Sequence, residues 1–264
     1  MAARAVRPVR AVRSARAVRS ARAFGGGAGS GRGAGAGRVS RERLAGLLRA
    51  AFAAALAADL LALLAGSATG HLFAKPLLMP LLAAYAAVRG APRLLLAALA
   101  FGWGGDVFLL VDAEWAFLAG MGSFAAGHVC YLLLFGRART SPLLGACYAA
   151  VLVAAVALLW PSLPADLRVP VAGYSLLLTA TAYRASGLGP VAAAGGALFL
   201  LSDTLIATGV ADWPQPPVPD FWIMLTYGAA QYLLVTGVLR PSSAARPHPT
   251  GPVAAPSPPG RPRS

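Results

Sequence analysis

Apolar stretches of about 17 to 22 residues, each long enough to cross a hydrocarbon core of about 30 Å as a helix, alternate with short polar breaks along the middle of the chain. Eight are distinguished, at approximately 44–65, 72–88, 93–111, 115–135, 142–160, 168–184, 190–210 and 219–239. The pattern predicts an all-α fold: a polytopic membrane helix bundle of eight transmembrane helices. Asp59 interrupts the first stretch and argues against reading 44–65 as a signal peptide. The breaks are too short to hold a separate soluble domain.

Charge orients this bundle. Arg89 and Arg93 occupy the second break, Arg137 and Arg139 the fourth, and Arg184 the sixth, and both tails are arginine-rich. The odd breaks carry Asp112, Glu114, Asp166, Asp212 and Asp220, with Arg168 as their one basic residue. Positive charge collects on the cytoplasmic side of membrane proteins, so the alternation predicts both termini in the cytoplasm of a multi-pass cell-membrane protein. An odd number of spans would place one basic tail outside.

Composition agrees. The 264 residues are 58% apolar and 12% charged, about half the charge of a soluble chain. A net charge of +14 raises nucleic acid as a partner, but 12 of the 23 basic residues precede residue 50 and 4 follow residue 239, leaving the body of the chain near neutral. No nucleic-acid site is expected. Residues 1–43 form a tail with arginine at every third position from Arg4 to Arg22, followed by a Gly/Ala/Ser run. A period of three builds no apolar helix face, and the tail reads as disordered and solvated, or as translation upstream of the true start. Residues 241–264, rich in Pro, Ser and Arg, read as a second disordered cytoplasmic tail around a transmembrane domain at 44–240. Cys130 and Cys147 lie in apolar runs, offering neither a disulfide framework nor CxxC metal spacing.

Five ionisable groups remain inside the spans: Asp59, Lys75, Asp106, His128 and Asp203. A charge at the centre of a membrane helix costs about 2.5–3.5 kcal/mol on insertion scales, so each needs a partner, a wet cavity or a neutral form. At 1.5 Å of rise per residue, Asp59, Asp106 and Asp203 fall roughly 8–11 Å below the outer ends of outward-running helices, with Lys75 one turn below the end of an inward-running one. Tyr174 and Tyr227 reach a similar level, and Gln231 lies one turn beyond Tyr227. Depth alone predicts a shared polar pocket opening towards the outer leaflet. His128 lies deeper and is expected to stack with Phe124 and Tyr131. Each group also has a purely structural reading: Asp106 and Asp203 as ion partners of Lys75, Asp59 as a satisfied interface carboxylate, His128 as a packing residue. Lys75 is the one lysine in a chain that otherwise uses arginine, which points to a need for an ammonium. The glycines Gly102, Gly104, Gly105, Gly120, Gly122 and Gly127 read as close helix contacts. No metal site is expected, since the other two histidines fall in a break and a tail.

Phe73-Ala74-Lys75-Pro76-Leu77-Leu78-Met79-Pro80, Gly105-Asp106, Gly122-Ser123-Phe124 running on to Gly127-His128 and Tyr131, Gly196-Ala197-Leu198-Phe199 with Ser202-Asp203, and Thr226-Tyr227 with Gln231 together resemble the YhhN-like family, over roughly residues 44–240. The resemblance implies a polytopic membrane hydrolase that cleaves the vinyl ether bond of lysoplasmalogen, a lysophospholipid drawn from the bilayer, to fatty aldehyde and glycerophosphoethanolamine or glycerophosphocholine. It also implies Asp106 and Asp203 as the catalytic pair. One departure is Gly228, where relatives often carry a second tyrosine after Tyr227.

The residues suit that chemistry. Protonating the β-carbon of a vinyl ether gives an oxocarbenium ion, which water converts to a hemiacetal that collapses to aldehyde and alcohol. One carboxylic acid and one carboxylate suffice, with no metal or organic cofactor. Lys75, His128, Tyr131, Tyr174, Ser202, Tyr227 and Gln231 are then the expected substrate-binding or carboxylate-tuning groups. A small-solute or proton-coupled transporter also uses intramembrane Asp and Lys and is the alternative from another class. No internal sequence echo supports it.

Overall fold

In the computed structural model, residues 30–240 are described, with side chains from Val39 onward. The chain divides into two units between Val39 and Ser40; most of the first, and the whole tail 241–264, lie outside the described residues. Eight α-helices and one short 3-10 turn account for the described secondary structure: α1 (Ser30–Leu64), α2 (Ala68–Val88), α3 (Arg93–Phe108), α4 (Glu114–Phe135), α5 (Pro142–Leu159), α6 (Arg168–Ala185), α7 (Pro190–Val210) and α8 (Pro219–Leu239).

Local sequence sets four of the helix starts. Pro142, Pro190 and Pro219 stand in the first turns of α5, α7 and α8, where a missing N–H costs nothing. Ser141 and Ser67 cap α5 and α2 by accepting the amides of Leu144 and Gly70. α1 begins at Ser30, well ahead of the apolar boundary expected at residue 44, because backbone helicity runs past the stretch that hydropathy detects. α3 is shorter than expected and ends at Phe108.

Six of the helices are long and apolar enough to cross a membrane; α3, with 16 residues, and the more polar α6 are the two that fall short. Their large apolar side chains point outward as well as inward. Phe73, Leu133, Leu143, Val153, Leu158 and Leu176 are all exposed, the surface expected of helices solvated by lipid.

The core is built where small residues bring helices together, chiefly α3 against α4 and α7 against α8. A Cβ on Gly105 would lie 2.5 Å from the Phe124 ring, and one on Gly195 would lie 2.8 Å from the Leu234 amide nitrogen. Gly127 meets the Ala98 carbonyl in the same way, whereas Gly122 faces open space and has no packing role. Gly228 leaves room for Leu56 of α1, whose side chain a Cβ there would meet at 2.7 Å, and Phe52 of α1 stacks on Tyr232 one turn further along α8.

Candidate functional site

Two polar chains run through the centre of the bundle, each ending on a carboxylate. In the first, the Tyr131 hydroxyl donates to Gln231 Oε1 at 2.7 Å, Gln231 Nε2 donates to the Tyr227 hydroxyl at 3.4 Å, and Tyr227 donates to Asp106 Oδ2 at 2.9 Å. Asp106 is 2% exposed, and Gly102 makes space for the Gln231 amide and Tyr227 hydroxyl. In the second, Tyr174 donates its only proton to Asp203 Oδ2, so its oxygen accepts from His128 Nε2, at 3.3 Å. That direction fixes the Nε2–H tautomer of His128 and leaves its buried Nδ1 without a partner. All donors in both chains point towards the carboxylates, an arrangement in which each hydrogen bond polarises the next.

Aromatic rings stand between the two chains. Phe199 packs edge-on against both His128 (4.7 Å between centroids) and Tyr227 (5.5 Å), and Phe124 packs against Phe199 and Tyr227. The expected stacking of His128 on Phe124 is thus replaced by stacking on Phe199 and Tyr174, with Tyr131 at 6.5 Å. The carboxylates of Asp106 and Asp203 nonetheless lie within electrostatic reach of each other.

Lys75, 8% exposed, is within electrostatic reach of Asp106 but forms no ion pair with it or with Asp203. The ion-partner reading of Lys75 is corrected accordingly. Among the described residues the close carboxylate contact is instead His71–Asp59, with Nδ1 2.8 Å from Oδ1, an ion pair when the imidazole is protonated. His71, expected in a break, lies in the first turn of α2, which starts earlier than the apolar pattern and brings the imidazole over the fully buried Asp59. Ser202 donates to the Ile223 carbonyl and ties α7 to α8.

An apolar cleft opens between α4, α5, α6 and α7. Its lining includes Phe117, Met121, Val151, Ala155, Leu178 and Ile206, with Asp203, Tyr174 and Phe124, and with Trp160, Leu163 and Arg168 from the end of α5, the α5–α6 connection and the start of α6. Asp203 is partly exposed through it. Asp106, Lys75, Tyr227 and Gln231 do not line it, so the single shared pocket inferred from depth resolves into a carboxylate that faces a cleft and a carboxylate enclosed behind aromatic rings. Depth along a helix is set by residue number, but azimuth is not, which is why the sequence could not separate them.

The chain matches the YhhN family over residues 70–238. A lysoplasmalogenase of Homo sapiens is 36% identical over 153 residues, covering 57% of this chain and 66% of that protein. One from Sus scrofa is 37% identical over 127 residues, covering 47% of this chain and 54% of that protein. A lysoplasmalogenase of Mycobacterium bovis is 33% identical over 190 residues, covering 64% of this chain and 72% of that protein. The chain spans from about half to just under two thirds of the length of the mammalian relatives it matches. No solved structure matches it. The matched region takes in the Lys75, Asp106, His128, Asp203 and Tyr227 segments, and with its extent and its apolar helices this multi-pass membrane protein belongs to the YhhN family.

Proposed function

We propose that the protein is a membrane-embedded hydrolase that cleaves the vinyl ether bond of a lysoplasmalogen by carboxylic-acid catalysis. The observation that carries this reading is the apolar cleft whose lining includes a carboxyl group, Asp203, held by Tyr174. Apolar walls suit a hydrocarbon tail, and an acid among them is what a vinyl ether needs. The names of the relatives support the same substrate class.

Asp203 is the acid. Tyr174 occupies Oδ2 and leaves the other oxygen to carry the proton, and its charged neighbour is another carboxylate, not a cation. Asp106, which accepts from Tyr227 and has Lys75 in electrostatic reach, is assigned the carboxylate role. Asp203 gives its proton to the β-carbon, the π pair forms the new C–H bond, and the ether oxygen shares the positive charge of the resulting oxocarbenium. The field of the Asp106 carboxylate stabilises that cation. Water adds to the α-carbon and passes a proton back to Asp203. The hemiacetal then loses its hydroxyl proton, the bond to the glycerol oxygen breaks, and that oxygen is protonated; one water is consumed overall. Purified protein given lysoplasmenylethanolamine should release fatty aldehyde and glycerophosphoethanolamine in equal amounts. Folded protein that releases neither would overturn the reading.

The same proposal places eight spans across the cell membrane with both termini cytoplasmic, supported by the alternation of Arg-bearing and Asp/Glu-bearing breaks. Reporter fusions after Gly90 and after Arg240 should both signal cytoplasm, and an external signal from either would remove the eight-span arrangement.

A further inference from the structure

Arg168 is the basic residue that breaks the acidic character of the odd connections. Its side chain lines the cleft, with the guanidinium carbon 5.9 Å from the centre of the Trp160 ring. Nε donates to the Leu163 carbonyl at 3.2 Å and Nη2 to the Pro161 carbonyl at 3.5 Å. Two of five donors are therefore used, both on backbone, and among the described residues no carboxylate pairs with this cation. The two backbone contacts and the indole hold the guanidinium in place beside the cleft, with no carboxylate oxygen within ion-pair distance among the described residues.

The spacing inside the cleft is informative. Arg168 opens α6 and Tyr174 follows six positions later on the same helix, about 9 Å of rise between their Cα atoms. Tyr174 holds the Asp203 carboxyl. In a 1-alkenyl lysophospholipid seven bonds separate phosphorus from the vinyl β-carbon, roughly 8–9 Å of extended chain at the reach per bond of a backbone. Arg168 and Asp203 line the same cleft, so a phosphodiester held at Arg168 leaves the vinyl ether in the cavity that the Asp203 carboxyl faces, with the hydrocarbon along the apolar walls. We infer that Arg168 is the residue that recognises the substrate's phosphate, fixing the register of a lysophospholipid in the cleft. This inference rests on the proposed reaction for its substrate class, but the recognition itself does not require turnover.

Two measurements separate the recognition from the reaction. The first compares wild type with Arg168→Gln and Arg168→Lys on lysoplasmenylethanolamine and on 1-alkenylglycerol, which lacks the phosphate. Losing charge-assisted hydrogen bonds should raise KM for the phospholipid by about 10- to 100-fold in Arg168→Gln with little change in kcat, and leave KM for 1-alkenylglycerol unchanged. Arg168→Lys should recover part of the loss. The second titrates a saturated 1-alkyl lysophospholipid, which cannot react, while following tryptophan fluorescence; wild type should bind it at least 10-fold more tightly than Arg168→Gln. An equal rise in KM for both substrates, or equal binding of the alkyl lipid by the two proteins, would reduce Arg168 to a loop tether and overturn the assignment. Inorganic phosphate giving the same saturable fluorescence change without lipid would overturn the lipid source. If wild type cleaves neither substrate yet binds the alkyl lipid through Arg168, the recognition stands and the vinyl ether reaction falls.

Discussion

Asp203→Asn is expected to lower turnover of lysoplasmenylethanolamine by 10² or more, the scale of a lost general acid, with KM nearly unchanged. An amide keeps the shape of the carboxyl group and can still accept from Tyr174, so the helix contacts around it survive. It has no acidic proton to place on carbon. Asp106→Asn should also cost turnover, through a different route: the amide removes the negative charge that faces the oxocarbenium, although the hydrogen bond from Tyr227 remains possible. Initial-rate kinetics on protein that elutes as a single folded species would check both. Full vinyl ether hydrolysis by both variants would eliminate the carboxylate pair, and movement of a solute into liposomes without aldehyde release would favour a transporter.

Lys75→Met is expected to fall in kcat by a comparable factor of about 10², while binding of a lysophospholipid is preserved because Lys75 does not line the cleft. Removing the ammonium leaves Asp106 facing Asp59 with His71 as the remaining cation in reach, and only when that imidazole is protonated. A buried carboxylate that loses this electrostatic support takes up a proton more readily and so loses its field on the reaction centre. Lys75→Arg should fail as well: a planar, wider guanidinium has to enter a site that the ammonium fills almost completely buried. The split between kcat and binding is diagnostic, since Arg168→Gln is expected to show the reverse. Wild-type kcat in Lys75→Met would show that the cation does not support the reaction.

Helix existence was legible because lipid-facing helices leave long apolar runs, and their ends were legible where proline or serine marks a first turn, as at Pro142, Pro190 and Pro219. The start of α1 was not, since hydropathy reports what a helix touches and not how far its backbone hydrogen bonds extend. At the site, the residue types and their depths were readable one helix at a time. The pairings were not. Tyr227 with Asp106 and Tyr174 with Asp203 depend on how each helix is rotated about its axis, which is settled by close contacts such as Gly105 on Phe124. His71 went unrecognised because its partner, Asp59, is 12 residues away on the preceding helix, across a turn.

The cleft is apolar along its walls and carries one cation, Arg168, in its lining, and α5, which supplies one wall, is held chiefly against α6 alone. Such a chamber sorts what it makes. For a reaction of the kind proposed, the two products differ sharply in polarity: a long-chain aldehyde that dissolves in hydrocarbon and a zwitterionic alcohol that dissolves in water. The aldehyde can slip sideways between α5 and its neighbours into the bilayer, while the headgroup alcohol departs past Arg168 into the aqueous phase. Departure in opposite directions dilutes each product into a separate reservoir, so recombination is unfavourable and neither has to clear the exit used by the other.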